Sequence, residues 1–165
     1  MRPEAQTSDL AYRLVTKEPL VAILPSDHRL AACDAIDPHD IVGETFVSVS
    51  NTAPALRVVI DDYLERSDLG IRPAHEVDNL AMAMSLIAST RGVALLPSYA
   101  QNFMPWSVIS RPIKGNAPTI DLVIGYNKAN TSRTLKLFLS RLDELIARVS
   151  KKLGDHADGS EGDAR

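Results

Sequence analysis

Ser50-Asn51-Thr52 is the cluster of side chains in this chain best suited to hold a ligand. Two hydroxyls and an amide stand together after a strand-like segment, Thr45–Val49, and before Pro54 and a helical pattern. A helix start offers unpaired N–H groups and the positive end of the helix dipole, so such a loop suits a carboxylate or similar anion. Helix capping is the first explanation for these residue types, and the two roles are compatible. No other constellation points to chemistry. His28, His39, His75 and His156 are scattered without metal-ligand spacing. His28 is expected to hydrogen-bond a backbone carbonyl in a turn; His39 and His156 are expected in solvent. Asp61 and Asp62 are adjacent, which on a helix points them about 100° apart and poorly placed for a carboxylate dyad. They read as a solvated face. There is no glycine-rich phosphate loop and no nucleophile-elbow spacing. A catalytic role, a metal site and a cofactor are therefore not expected.

The elements that would position the Ser50 loop are legible as alternating strands and helices. Ala11–Val15 and Pro19–Leu24 read as two strands, the second apolar on both faces as in a buried sheet. Asp37-Pro38 starts a short turn of helix. Leu56, Val59, Ile60, Tyr63 and Leu64 repeat at helical spacing, with Gly70 as the end of that helix. Pro73–Val77 is a short strand, and Asp78 is the expected cap of a second helix carrying Leu80, Ala83, Met84 and Ile87 on one face. Gly92 closes it before the buried-type strand Val93–Pro97. Ser98–Phe103 is a short helix. Gln101–Trp106, with the only Trp, is either an apolar crevice wall or a lid over the core, and core packing is favoured. Val108–Pro112 and Thr119–Tyr126 are strands, the latter with Ile120, Leu122 and Ile124 on one face. Thr131-Ser132 starts the longest helix, striped by Leu135, Phe138, Leu139, Leu142, Leu145, Ile146 and Val149. From Gly154 a polar tail is expected to be disordered. The alternation predicts an α/β class with a mostly parallel sheet.

Composition narrows the function classes. The 165 residues suffice for one domain or two small lobes. A formal net charge of −3 with no Lys/Arg cluster gives no electrostatic footprint for nucleic acid. The single cysteine, Cys33, excludes an internal disulfide framework and reads as a partly buried small residue. No long apolar run opens the chain or approaches a membrane-spanning length, so a cytoplasmic location is expected.

A series of segments in order resembles the effector-binding region of LysR-type transcriptional regulators. The segments are Asp9-Leu10-Ala11-Tyr12, Glu18-Pro19 through Leu24-Pro25-Ser26-Asp27-His28-Arg29-Leu30, and Ile36-Asp37-Pro38 through Thr45-Phe46. Glu76-Val77-Asp78, Leu86-Ile87-Ala88, Gly92-Val93-Ala94-Leu95-Leu96-Pro97 and Val108–Ile113 follow, then the terminal amphipathic helix. Gln101-Asn102-Phe103 and Arg111–Ile120 resemble the regulators that respond to phenylpropionate and cinnamate.

The resemblance implies a periplasmic-binding-protein-like type II α/β fold, mostly the second lobe plus the closing strand and helix of the first. Residues 1–24 would be the end of lobe one and the first crossover strand. Residues 25–118 would be lobe two, 119–153 the return to lobe one, and 154–165 the tail. It implies effector contacts at Ser50, Asn51, Thr52 and Pro54, with Val77 and Asn79 on the facing loop. The implied partner is a small aromatic carboxylic acid. Sensor domains would pair as homo-oligomers, with the Asn79–Thr90 helix contributing. DNA would be read only through a helix-turn-helix that this sequence does not contain, and Met1 would lie inside a longer protein. A fragment of a solute-binding transport protein is the alternative. An enzyme on the same fold would need a metal or acid/base set that the sequence lacks.

Overall fold

The structure is a computed structural model that describes residues 9–158. Its elements run β1 (Leu10–Pro25), β2 (Val47–Val49), α1 (Pro54–Arg66), β3 (His75–Val77), α2 (Leu80–Thr90), β4 (Ala94–Pro97), β5 (Val108–Pro112), β6 (Thr119–Asn127) and α3 (Arg133–Asp158). Short 3-10 turns cover Arg29–Ala32, Pro38–Ile41 and Ser98–Phe103. The chain divides into two compact units. One is Glu18–Ile120; the other combines the residues up to Lys17 with those from Asp121.

In the larger unit, β1 is flanked by β4 and β5, both antiparallel to it. Ala22 faces Leu95 on one side and Arg111 on the other. Leu20–Leu24 are all buried, as expected of a strand covered on both faces. The mostly parallel sheet expected from the sequence is corrected here. Among the described strands of this unit, parallel pairing is that of β2 with β3, supplemented by the isolated parallel bridges Ile36–Ile113 and Phe46–Val93. The strand–helix alternation is real, but long connections carry β4 and β5 back against β1 in the opposite sense. The two expected strands of residues 11–24 are also one continuous β1, because Thr16–Glu18 extends without a breaker.

Helix faces follow the apolar periodicity. Leu56, Ile60, Tyr63 and Leu64 of α1 are buried, as are Ala83, Met84 and Ile87 of α2. Their ends differ from expectation by a few residues. Helix α1 stops at Arg66, and Gly70 (φ 58°) lies in the loop beyond. The left-handed residue that closes α2 is Arg91 (φ 57°), not Gly92. Gly92 is required for another reason: a Cβ there would meet the Thr45 carbonyl oxygen at 2.8 Å and Val47 Cγ2 at 3.1 Å.

In the smaller unit, the first part of β1 carries Tyr12, whose ring lies 3.1 Å from where a Gly125 Cβ would stand on β6. Arg13 pairs with Asp143 and donates to the Leu139 carbonyl at 3.5 Å, tying β1 to α3. Leu142 is buried, whereas Leu137, Phe138 and Leu145 are exposed, as are Leu122 and Val123 on β6. Helix α3 continues through Gly154 to Asp158, beyond the point where the sequence leads one to expect a polar tail. Residues 159–165 lie outside the described residues.

Candidate functional site: a cleft at two helix N-termini

Both loops singled out from the sequence lie at the C-terminal ends of β2 and β3, where parallel strands of an open α/β sheet present their ligand sites. There the N-termini of α1 and α2 border one cleft of about 230 Å³, lined by Val49, Ala53, Leu56, Val77, Asp78, Asn79, Leu80, Ala83, Leu96 and Tyr99. The lining is apolar apart from the Asp78, Asn79 and Tyr99 side chains. Two helix starts on one cleft put two positive dipole ends beside it.

The Ser50–Thr52 loop does not cap α1, which corrects the first explanation given for it. The N-cap is Ala53, without a side-chain hydrogen bond, and Pro54 occupies the first helical position. The backbone N–H groups of Ala55 and Leu56 therefore stay outside the helical ladder and uncapped by any side chain. Ser50 instead donates its hydroxyl proton to Asp78 Oδ1 at 2.5 Å. Its oxygen accepts from the Thr52 N–H at 3.2 Å and sits 2.9 Å from Thr52 Oγ1. Thr52 Oγ1 also lies 3.4 Å from the Asp78 carbonyl oxygen. These bonds tie the loop after β2 to the loop after β3, across 26 to 28 residues of chain.

Of the six residues expected to contact an effector, Val77 and Asn79 line the cleft. Ser50 and Thr52 form the hydrogen-bonded cluster at its rim through Asp78. Asn51 is exposed and Pro54 heads α1. Asn79, not Asp78, is the N-cap of α2, and its side-chain oxygen accepts from the Met82 N–H at 2.9 Å. That leaves the Asn79 amide donors available. Sequence reasoning missed Asp78 as a cleft group, because it was read as a cap, and missed Tyr99. Leu56 and Ala83 were legible only as helix-core positions.

Arg57 supports the cleft from behind. It donates from Nη1 to the Val49 carbonyl at 2.9 Å and to Glu76 Oε1 at 2.7 Å, and from Nε to Asp61 at 2.7 Å. The Glu76 and Asp61 carboxylates raise its pKa above the ordinary value. Asp61 is thus the exposed partner of an i, i+4 pair rather than half of a dyad. Ser48 Oγ is buried without a hydrogen-bond partner, but strand alternation turns it to the face of β2 opposite Val49.

Two further expectations are corrected. Trp106 is 93% exposed and Phe103 66% exposed, so the aromatic residues of the Gln101–Trp106 segment do not pack in the core, and only the half-buried Met104 lies against it. Phe103 instead borders an open hollow over α2 with Leu80, Ala81 and Met84. Hydrogen bonds hold the Ser98–Phe103 turn that leads into that segment: Ser98 donates to the buried Glu18 carboxylate, and Gln101 to Ser110 at 2.8 Å. His28 does not serve a backbone carbonyl. Its Nδ1 accepts from the Leu30 N–H at 3.2 Å, so Nε2 carries the proton toward Glu44 at 3.2 Å. The His28 carbonyl and ring close the Arg29–Ala32 turn, and Arg29 shares Glu44 at 2.7 Å.

The profile of the LysR substrate binding domain family matches residues 1–147. The chain belongs to that family. The Hca operon transcriptional activator HcaR of Escherichia coli (strain K12) is 29% identical over 151 residues, covering 91% of this chain and 51% of HcaR. The chain thus spans about half the length of that curated relative. The effector-binding domain of QuiR in complex with shikimate superposes with a TM-score of 0.67 at 20% identity, covering 90% of this chain and 69% of that one. The effector-binding domain of BenM with benzoate superposes with a TM-score of 0.65 at 19% identity, covering 93% and 68%. At such identities the likeness shows the fold, which is the periplasmic-binding-protein-like type II fold of LysR effector-binding domains. Among the described residues no helix is long and apolar enough to cross a membrane.

Proposed function

We propose that this chain is the effector-sensing portion of a cytoplasmic LysR-type transcriptional regulator, and that it binds a small aromatic carboxylic acid. The observation that carries the reading is the uncapped start of α1 on an apolar cleft in a chain of this family. The carboxylate would meet the Ala55 and Leu56 N–H groups and the Asn79 amide, with Ser50, Asn51, Thr52 and Pro54 shaping one wall. Val77, Leu80 and Leu96 would take the ring. Shikimate in QuiR and benzoate in BenM are both small cyclic carboxylic acids, which supports the class. The resemblance of Gln101-Asn102-Phe103 and Arg111–Ile120 to the regulators that respond to phenylpropionate and cinnamate supports an arylpropanoid acid.

In this reading residues 1–24 end lobe one and begin the crossover, 25–118 form lobe two, and 119–153 return to lobe one. Ligand binding would act by favouring one arrangement of lobes and subunits, which requires unequal affinity for the two states. The Asn79–Thr90 helix would contribute to sensor pairing, and DNA would be contacted by a helix-turn-helix outside this sequence. The role is binding and not catalysis. A solute-binding transport fragment is not favoured, since the relatives are transcriptional regulators.

Isothermal calorimetry with cinnamate and 3-phenylpropionate tests the assignment. The cleft is smaller than the roughly 300–1,000 Å³ of complete small-molecule sites, so affinity in the high micromolar to millimolar range is expected. Absence of binding heat and of any thermal stabilisation at saturating acid would sink the reading.

A further inference from the structure

We propose that Asp78 makes this cleft selective for acids that carry a hydroxyl group in addition to their carboxylate. The inference rests on the effector-binding reading above and concerns the same cleft.

Ser50 has one proton, and it is given to Asp78. Thr52 has one hydroxyl proton and two acceptors in reach, Ser50 Oγ at 2.9 Å and the Asp78 carbonyl at 3.4 Å; the shorter contact assigns it to Ser50, whose oxygen also accepts from the Thr52 N–H at 3.2 Å and so uses both lone pairs. Ser50 is therefore saturated inside the protein and offers nothing to a ligand. The Thr52 N–H is used as well. The hydroxyl cluster thus passes its donors toward Asp78 and leaves the Asp78 carboxylate as the polar group facing the cleft at that side. Only Oδ1 is engaged by Ser50. An ionised carboxylate accepts at about four sites, so most of its capacity remains open.

No cation neutralises it: among the described residues Asp78 is in no ion pair. Its position immediately before the Asn79 N-cap lets the α2 dipole support the negative charge instead. A ligand entering this cleft thus meets donors at the helix starts and an acceptor at Asp78. A plain monocarboxylic acid satisfies the first and makes no use of the second, which stands exposed at the cleft. A hydroxyl on the ligand pairs with Asp78, and a group built to accept a hydroxyl discriminates against the analogue lacking it.

The test is calorimetry of the chain and of Asp78→Asn with four probes: cinnamate and its 2-, 3- and 4-hydroxy derivatives. For the unsubstituted sequence, at least one hydroxy acid is expected to bind roughly tenfold or more tighter than cinnamate, the scale of one hydrogen bond to a charged group. Asp78→Asn keeps size and a Ser50 partner; it is expected to cut that preference to within about threefold and to leave cinnamate affinity equal or better. A matching thermal midpoint for the two proteins shows that the fold is retained. A merely structural tie between the two loops would lower all four affinities together and leave the preference unchanged, which would overturn the proposal. Binding of all four acids to the starting protein without discrimination would also overturn it while leaving the effector reading standing. Failure of every probe would remove both.

Discussion

Single residues in this chain are held mostly by short-range hydrogen bonds at element ends. Asp37 shows how far that can be read as a pH effect. Its carboxylate caps the Pro38–Ile41 turn, accepting from the His39 N–H at 3.0 Å and from His39 Nδ1 at 3.1 Å. The His39 backbone bond first, and the side-chain bond second, hold its pKa below the ordinary 3.8. A lowered acid pKa means that the folded form prefers the charged carboxylate. Its stabilisation is present above the ordinary value and is lost as pH falls through the lowered one. Comparing thermal midpoints of the protein and of Asp37→Asn along a pH series should show a gap at neutral pH that closes below about pH 4. The cap itself was legible in Asp37-Pro38. The caps of α1 and α2 were misassigned by a residue or more, because Ser, Asn, Thr and Asp are all capping types and sequence cannot say which one faces the free N–H. At Ser50 a partner 28 residues away, Asp78, outcompetes the local helix end.

At the scale of elements, existence was far more legible than pairing. Apolar periodicity marked α1, α2 and α3, and β-branched or apolar runs marked β1, β2, β4 and β5, since burial imposes those patterns locally. The sense of the sheet did not follow, because strand direction depends on where the connections lead and not on composition. Gly92 belongs to the same lesson. It was read as a helix terminator, whereas its conformation is ordinary and its constraint is steric. Gly92→Ala would press a methyl against the Thr45 carbonyl and Val47, forcing apart the segment that joins β2 to β4. Urea unfolding should show a loss of about 1–3 kcal/mol, the cost of an overpacked contact. An unchanged midpoint would mean that the Thr45 backbone gives way freely.

For the whole molecule, the uneven covering of the two units sets its behaviour in solution. Among the described residues, the larger unit holds nearly all of the buried apolar side chains, including Phe46, Ile60, Ile87 and Leu95. The smaller unit leaves Tyr12, Leu14, Leu122, Val123, Leu137, Phe138 and Leu145 exposed. Exposed apolar side chains in such number promote association. Light scattering should show concentration-dependent self-association, accompanied by binding of an environment-sensitive dye. Phe138→Lys with Leu145→Lys should reduce both, while a monodisperse monomer without dye binding would contradict the expectation. The sequence by itself determined the α/β class, the helix faces, the buried β1 and the loop that heads α1. Each is a local pattern, written by which side chains must avoid water. Only the tertiary structure decided that β4 and β5 run against β1, that Trp106 stands in solvent, and that Ser50 serves Asp78 rather than α1. Those outcomes depend on contacts between segments distant in the chain, and no local pattern records which distant partner will be nearest.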